Sequence, residues 1–498
     1  MIKDNKILLG KAGEKEVFLT PSMLNRHGLI AGATGTGKTV TLKVIAESLS
    51  DLGIPTVIAD VKGDLTGMIV PGDEEGIKGR LESMDIHDYE VRKYPVHFYD
   101  VYQKQGHPLR VKLQDMGPLI ISHLLDLTDV QQGILNIIFR AAQDMELDII
   151  DLKDLQAMAS YVGEHSKEYT LKYGNVTKQS VGAIQRKLLE LESQGGDLFF
   201  GMQSIDIEDW FSEQNGYGVM NMIECEELYN HPLLYSMFLF WMLQELYERL
   251  PEVGDLDAPK IVFFFDEAHL LFRNASRQLL EKIETTVRLI RSKGVGIFFC
   301  TQNPSDIPNT VLSQLSNRIQ HSLRAYTPSE IKACKMAADS FRQNPAFDTA
   351  ERISNMKTGT ALVSTLDEEG VPSIVEETKI LPPRSSMTIA NAERIQYVIE
   401  TDAVYGKYER FFDPESAYEL IDDMREEEAR VREEEAAAKQ RAKEEEKIAK
   451  QKAREAARKA NRPTFADRLA RQATYKVSRE LVNFGYKQAK NFLKGFLK

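Results

Sequence analysis

Gly32-Ala33-Thr34-Gly35-Thr36-Gly37-Lys38-Thr39 decides how this chain is read. The eight residues satisfy the pattern G-x-x-x-x-G-K-[ST], which needs a strand before it and a helix after it. His27-Gly-Leu-Ile-Ala-Gly32 predicts that strand, and apolar spacing over 38–52 predicts the helix, ended by Gly53-Ile54-Pro55. TVIADVKG, 56–63, predicts the next strand, completing a β–loop–α–β unit of a parallel sheet. Glycines let the loop curl so that successive N–H groups converge on an anion, and the helix N-terminus adds partial positive charge. The phosphate-binding segment is therefore Gly32, Ala33, Thr34, Gly35, Thr36, Gly37, Lys38, Thr39 and Val40. Lys38 can reach the β- and γ-phosphates of a nucleotide, and Thr39 can hold Mg2+.

A second half-site follows from Ile261-Val-Phe-Phe-Phe265-Asp266-Glu267. Five apolar residues predict a strand buried on both faces. Asp266 then falls at its carboxyl end, where ligands bind in open α/β sheets, and can anchor the Mg2+ shell. Glu267 can activate an attacking water. The strand predicted at 295–300 ends in Thr301-Gln302-Asn303-Pro304, and Gln302 can contact the γ-phosphate or the water. Phosphoryl transfer also calls for an arginine, often from a neighbouring subunit. Arg288, Arg291 and Arg318 are the candidates, and Asp60 of Asp60-Val-Lys62-Gly63-Asp64 is a candidate supporting acid.

Working outward, the chain has 498 residues and a formal net charge of −12, so it is no general binder of polyanions. No apolar run reaches the roughly 18–20 residues of a bilayer span, and the N-terminus lacks signal-peptide features. Cys225, Cys300 and Cys334 are the three cysteines, too few and too scattered for a disulfide framework or a cysteine zinc site. They fit a reducing cytoplasm. The expected organisation is an α/β, mostly parallel sheet core, opened by a short hairpin in 1–116. A helical insertion follows at 117–205, and the core resumes over 206–385, closing with a hairpin of strands 360–364 and 373–377. A linker at 386–412 and a charged helix at 413–461 come next. The helix is rich in Glu–Lys/Arg pairs at three- and four-residue spacing and reads as a lone helix, with coiled coil as the alternative. The tail, 462–498, carries nine basic and two acidic side chains, a net +7, which leaves −19 on the rest.

Four segments, RHGLIAGATGTGKT, TVIADVKGDLTGM, FFFDEAHLLF and RSKGVGIFFCTQNPSDIPNTVLSQLSNRIQHSLRAYTP, resemble the HerA/FtsK branch of P-loop ATPases, and more narrowly the HerA-like YjgR family. The resemblance covers about residues 1–385. It implies a RecA-like P-loop NTPase core, ATP and Mg2+ as ligands, and a homo-oligomer, usually a hexamer, with sites between subunits. It maps the catalytic roles onto Lys38, Asp266, Glu267 and Gln302, and favours Arg291 over Arg318 as the arginine acting in trans. It also implies action on double-stranded DNA. HerA proteins carry a β-barrel before the phosphate loop, whereas only residues 1–26 precede the first core strand here, so a reduced or missing partner-docking module is expected, which counts against a nuclease partner and DNA processing.

Two functions compete. One is an oligomeric ATPase motor that threads DNA. The other is a nucleotide-gated assembly platform whose tail docks on a protein or an anionic membrane. Phe492, Leu493, Phe496 and Leu497 beside Lys490, Lys494 and Lys498 suit an amphipathic helix on anionic lipid, the interleaved aromatics equally suit stacking on single-stranded nucleic acid, and the plainer alternative is a helix packing on its own oligomer.

Overall fold

The computed structural model describes residues 1–254, 256–273, 277–410, 412–460 and 465–495. Its strands are β1 (Ile2–Lys3), β2 (Lys6–Ala12), β3 (Lys15–Leu19), β4 (Gly28–Ala31), β5 (Thr56–Asp60), β6 (Val96–Asp100), β7 (His107–Pro108), β8 (Glu213–Gln214) and β9 (Tyr217–Gly218). They continue with β10 (Met220–Glu224), β11 (Ile261–Phe265), β12 (Val295–Thr301), β13 (Asn317–His321), β14 (Thr360–Ser364) and β15 (Glu376–Ile380). Thirteen form one sheet in the order β1-β2-β15-β14-β13-β4-β12-β11-β5-β10-β6-β7, with β3 on β2. From β13 to β7 every neighbouring pair is parallel; β1, β2, β3, β14 and β15 form an antiparallel wing.

The order follows from burial. All five residues of β11 are buried, as expected of a central strand covered on both faces. Phe264 stacks on Phe298 at 5.3 Å and Phe265 on Phe299 at 5.5 Å, locking β11 to β12 in register. Such pairs add about 0.5–1.5 kcal/mol each beyond area burial. β4 lies on the other side of β12, and β5 on the other side of β11. Four strands distant in sequence thus deliver their carboxyl ends side by side.

Residues 113–191 supply the helices Leu113–Leu124, Asp129–Asp144, Leu152–Glu164, Ser166–Tyr173 and Lys178–Leu191. Capping boxes at Thr128 and Asp151 start two of them.

Two expectations are corrected. The second strand of the late hairpin is Glu376–Ile380, not 373–377. The turn at Asp367–Gly370 forms, but Pro372 has no N–H for a ladder, and the Ser373 hydroxyl accepts the Thr365 N–H that a strand carbonyl would otherwise take. Regular pairing resumes only at Glu376. Segment 386–412 is not a free linker. It carries helix Ala392–Glu400, whose Ile395 and Ile399 join the main core. Asp402 binds His97 and His107 at the far sheet edge, at 3.2 and 3.1 Å.

The chain divides into two compact units, Met1–Ile421 and Asp422–Lys498. Helix Ala417–Ala460 is exposed beyond its first turns and bears i,i+4 pairs such as Glu428–Arg432 and Glu446–Lys450. Helix Phe465–Gly495 exposes Tyr475, Leu481, Phe484 and Tyr486. The side chains of 490–498, on which the amphipathic reading of the tail rests, lie outside the described residues. Among the described residues no helix is long and apolar enough to cross a membrane.

Candidate nucleotide site

The loop 32–37 leaves β4 and runs into helix α1 (Lys38–Asp51). Gly32, Gly35 and Gly37 all have positive φ, at 154°, 74° and 120°. At Gly32 close approach also leaves no room for a side chain, and at Gly37 it leaves little. A Cβ on Gly32 would sit 2.5 Å from His321 Cβ, and one on Gly37 would sit 3.1 Å from His321 Cε1. His321, at the end of β13, is the buried floor of the loop. Its Nδ1 lies 3.1 Å from the Thr360 carbonyl, so that nitrogen carries the proton and Nε2 accepts from the Thr41 hydroxyl at 2.8 Å. Burial lowers its pKa to about 4, keeping it neutral. Gly37 caps α1 without a side chain, so no hydroxyl or carboxylate competes with an anion there. Lys38 Nζ donates to the Gly32 and Ala33 carbonyls at 2.6 and 3.3 Å, and Thr34 and Gly35 are exposed at the crest. Burial, then the Lys62 charge, pull the Lys38 pKa down.

β11 delivers Asp266 and Glu267 next to this loop's neighbour strand. Glu267 is 3% exposed and has φ 47°, an uncommon backbone for a glutamate, of the strained kind that clusters at active sites. Its Oε1 accepts from Gln302 Nε2 at 3.1 Å and from Lys62 Nζ at 3.0 Å. Lys62 is also 3.7 Å from Asp266 Oδ2. Burial pushes the Glu267 pKa up, but Lys62 and Gln302 outweigh it and the net shift is downward, so Glu267 is a carboxylate. Burial raises the pKa of Asp266. The turn after β5 supplies the rest. Asp60 accepts from the Lys62 and Leu65 N–H groups at 3.2 and 3.0 Å, and Asp64 Oδ2 accepts from the Thr39 hydroxyl at 3.1 Å.

Lys38, Thr39, Asp266, Glu267 and Gln302 therefore occupy adjacent strand ends, with Gln302 in contact with Glu267. Arg318 is different. Its guanidinium donates to the carbonyls of Leu312, Leu315 and Ser340 in its own chain, which commits it to holding that corner of the fold. Arg291 lies on the turn Arg291–Lys293, before β12, where its charge helps depress the pKa of buried His27. Asp60 organises the backbone of its turn rather than facing a ligand. Sequence reading passed over Lys62 as a partner of the carboxylates, and His321 altogether. A charged residue just after a buried strand marked Lys62; the adjacency of β5 and β11 did not show.

The donors fit magnesium carried by a polyphosphate. Thr39, Asp64 and Asp266 offer hard oxygens, and an ammonium already stands against the Asp266–Glu267 pair where positive charge is favoured. Among the described residues no group of three or more His, Cys, Asp or Glu can hold a metal alone. Thr39 and Asp266 would hold Mg2+ here, and the ion would supply positive charge to offset that of a polyphosphate.

Residues 5–497 match the family described as helicase HerA-like C-terminal. This chain belongs to that HerA-like family. The match runs through the charged helix and into the tail, well past the 1–385 inferred from the four segments. The DNA double-strand break repair helicase HerA of Sulfolobus acidocaldarius is 22% identical over 364 residues, 72% of this chain and 65% of that protein. The DNA import protein CedB of the same organism is 25% identical over 289 residues, 57% of this chain and 41% of that protein. The HerA-like chain thus spans less than two thirds of these relatives. Its fold is that of the plasmid coupling protein TrwB, solved with a non-hydrolysable GTP analogue, at TM-score 0.51 and 15% identity over 78% of this chain and 93% of that one.

Proposed function

We propose that this HerA-like chain is a magnesium-dependent ATPase that works as a homo-oligomeric motor on double-stranded DNA. The observation that carries the reading is the meeting of the glycine loop, Asp266, Glu267 and Gln302 at adjoining strand ends. In this reading the loop and the start of α1 hold the triphosphate, and Lys38 moves from the Gly32 carbonyl to the β/γ-phosphate oxygens. Thr39 and Asp266 hold Mg2+. Glu267 takes the proton of the attacking water, oriented by Gln302, and its depressed pKa keeps it ionised at neutral pH. Arg291 of one subunit completes the site of the next, because Arg318 is committed to three carbonyls. A ring, hexameric by family resemblance, would repeat any basic pore loop several times over, so the acidic net charge does not oppose DNA threading.

Steady-state ATP hydrolysis with and without duplex DNA, over a range of salt, tests this. Stimulation by DNA that fades as salt rises is expected; turnover indifferent to DNA at low salt favours the nucleotide-gated platform instead. One observation gives that second reading substance: unit Asp422–Lys498 is separate and exposes a basic, aromatic-rich helix suited to an anionic partner. Co-sedimentation of full-length and 1–461 protein with anionic liposomes checks it, and equal pelleting excludes a lipid role for the tail.

A further inference from the structure

We propose that Lys62 competes with the divalent cation for the Asp266–Glu267 pair, and so locks the catalytic carboxylate until magnesium nucleotide displaces it. The inference rests on the site being a magnesium–nucleotide site, but it concerns a residue with no role in the motif reading. Lys62 Nζ is 3.0 Å from Glu267 Oε1 and 3.7 Å from Asp266 Oδ2. A single ammonium thus spans both carboxylates. Gln302 donates to the same Glu267 oxygen, so Oε1 is shared by two donors and poorly placed to accept from a water. Oε2 is buried without a hydrogen bond, with His269 Nδ1 3.3 Å away but misaligned. With Lys62 in place, Glu267 is held rather than armed.

The element carrying Lys62 has a second contact with the site. Asp60 fixes the turn through the N–H groups of Lys62 and Leu65, and Asp64 in that turn takes the hydroxyl of Thr39. Thr39 and Asp266 are the two residues read as magnesium ligands. One short turn therefore occupies both: Asp64 engages the hydroxyl, and Lys62 engages the carboxylates. Cation binding by Thr39 and Asp266 must loosen the turn at both ends. An ordinary surface ion pair would engage one carboxylate and touch no second ligand. Here the lysine side chain is 36% exposed, with room to swing out, while its carboxylate partners are 3% and 13% exposed.

The test is a titration of Mn2+, as a spin probe for Mg2+, into the protein without nucleotide, followed by electron paramagnetic resonance. Lys62→Met is expected to bind Mn2+ at least about tenfold tighter than wild type, a gain of about 1.4 kcal/mol. Lys62→Arg, which keeps the charge, should stay close to wild type. Equal Mn2+ affinity in Lys62→Met and wild type overturns the proposal. A measurement on unaltered protein guards against a variant that fails to fold. Acetylation of Lys62 by acetic anhydride, read by mass spectrometry, should rise with Mg2+ and ADP together and not with ADP alone. Labelling insensitive to Mg2+·ADP overturns the competition. Neither readout requires turnover, so a protein that fails to hydrolyse ATP would refute the proposed function and still report on Lys62.

Discussion

At the residue scale the site is set by what each position cannot be. Gly32 has no room for a Cβ against His321, and at φ 154° the backbone also disfavours one. Gly32→Ala is therefore expected to displace the loop from β13 and to weaken nucleotide binding; unchanged affinity would mean that His321 yields. Lys38→Ala removes the ammonium proposed to reach the β/γ-phosphate oxygens, and should cost about 10–100-fold in affinity for ATP, measured by isothermal titration. Glu267→Gln keeps the Gln302 and Lys62 contacts within reach but removes the carboxylate proposed as base, so binding should persist while turnover falls about 10²–10⁴-fold. The glycines, Lys38, Thr39 and the Asp266–Glu267 pair were legible because their chemistry forces a local pattern. Lys62 and His321 were not, because their partners lie 205 and 280 positions away, and only strand order brings them together.

At the element scale, α1 ties the phosphate loop to the strap that follows β15. Glu47, fully buried on α1, accepts from the Arg384 and Ser385 N–H groups at 2.7 and 3.1 Å and from the Ser385 hydroxyl. Lys43, one turn earlier, donates to the Ser386 carbonyl at 2.8 Å, and Arg384 meets Asp51 at 2.9 Å. Burial raises the Glu47 pKa from its ordinary 4.5 to about 7, against the pull of those hydrogen bonds and of Lys43. The folded chain therefore holds a proton that the unfolded chain has released. That stability is fully present below pH about 4.5 and is lost as pH rises through about 7. The melting temperature should fall from about pH 5 to about pH 8, and Glu47→Gln should flatten the fall. A slope unchanged in Glu47→Gln would assign the proton elsewhere. The strap also explains why 386–412 read as a linker. Leu381-Pro-Pro-Arg384 just before it and its polar composition signal a boundary, yet the N–H groups of Arg384 and Ser385 are taken up by a carboxylate inside the core. Conversely, β11 and β12 were readable to within a residue, since a doubly buried strand such as β11 leaves an uninterrupted apolar run, whereas the strand read at 56–63 ends at Asp60. Phe264→Ala, which empties the stack on Phe298, should cost about 3–5 kcal/mol in urea unfolding.

At the scale of the whole molecule, an α/β core with a mostly parallel sheet gathers the candidate nucleotide-site groups at the carboxyl ends of its central strands, and a second unit, Asp422–Lys498, holds most of the charged helix and the basic tail. The acidic charge sits in residues 1–461 and the basic charge in the tail, so the two ends of the chain suit partners of opposite sign. Whether the partner is duplex DNA in a ring or an anionic surface, both readings need one thing first: groups gathered from β4, β5, β11 and β12 must act together on a triphosphate. Phosphate release from ATP by purified full-length protein, with and without Mg2+, in wild type and Glu267→Gln side by side, measures that directly. Magnesium-dependent release in wild type, reduced at least about a hundredfold in Glu267→Gln with ATP still bound, is the predicted result. Equal release by the two proteins, or none by wild type with ATP and Mg2+ in excess, would contradict it.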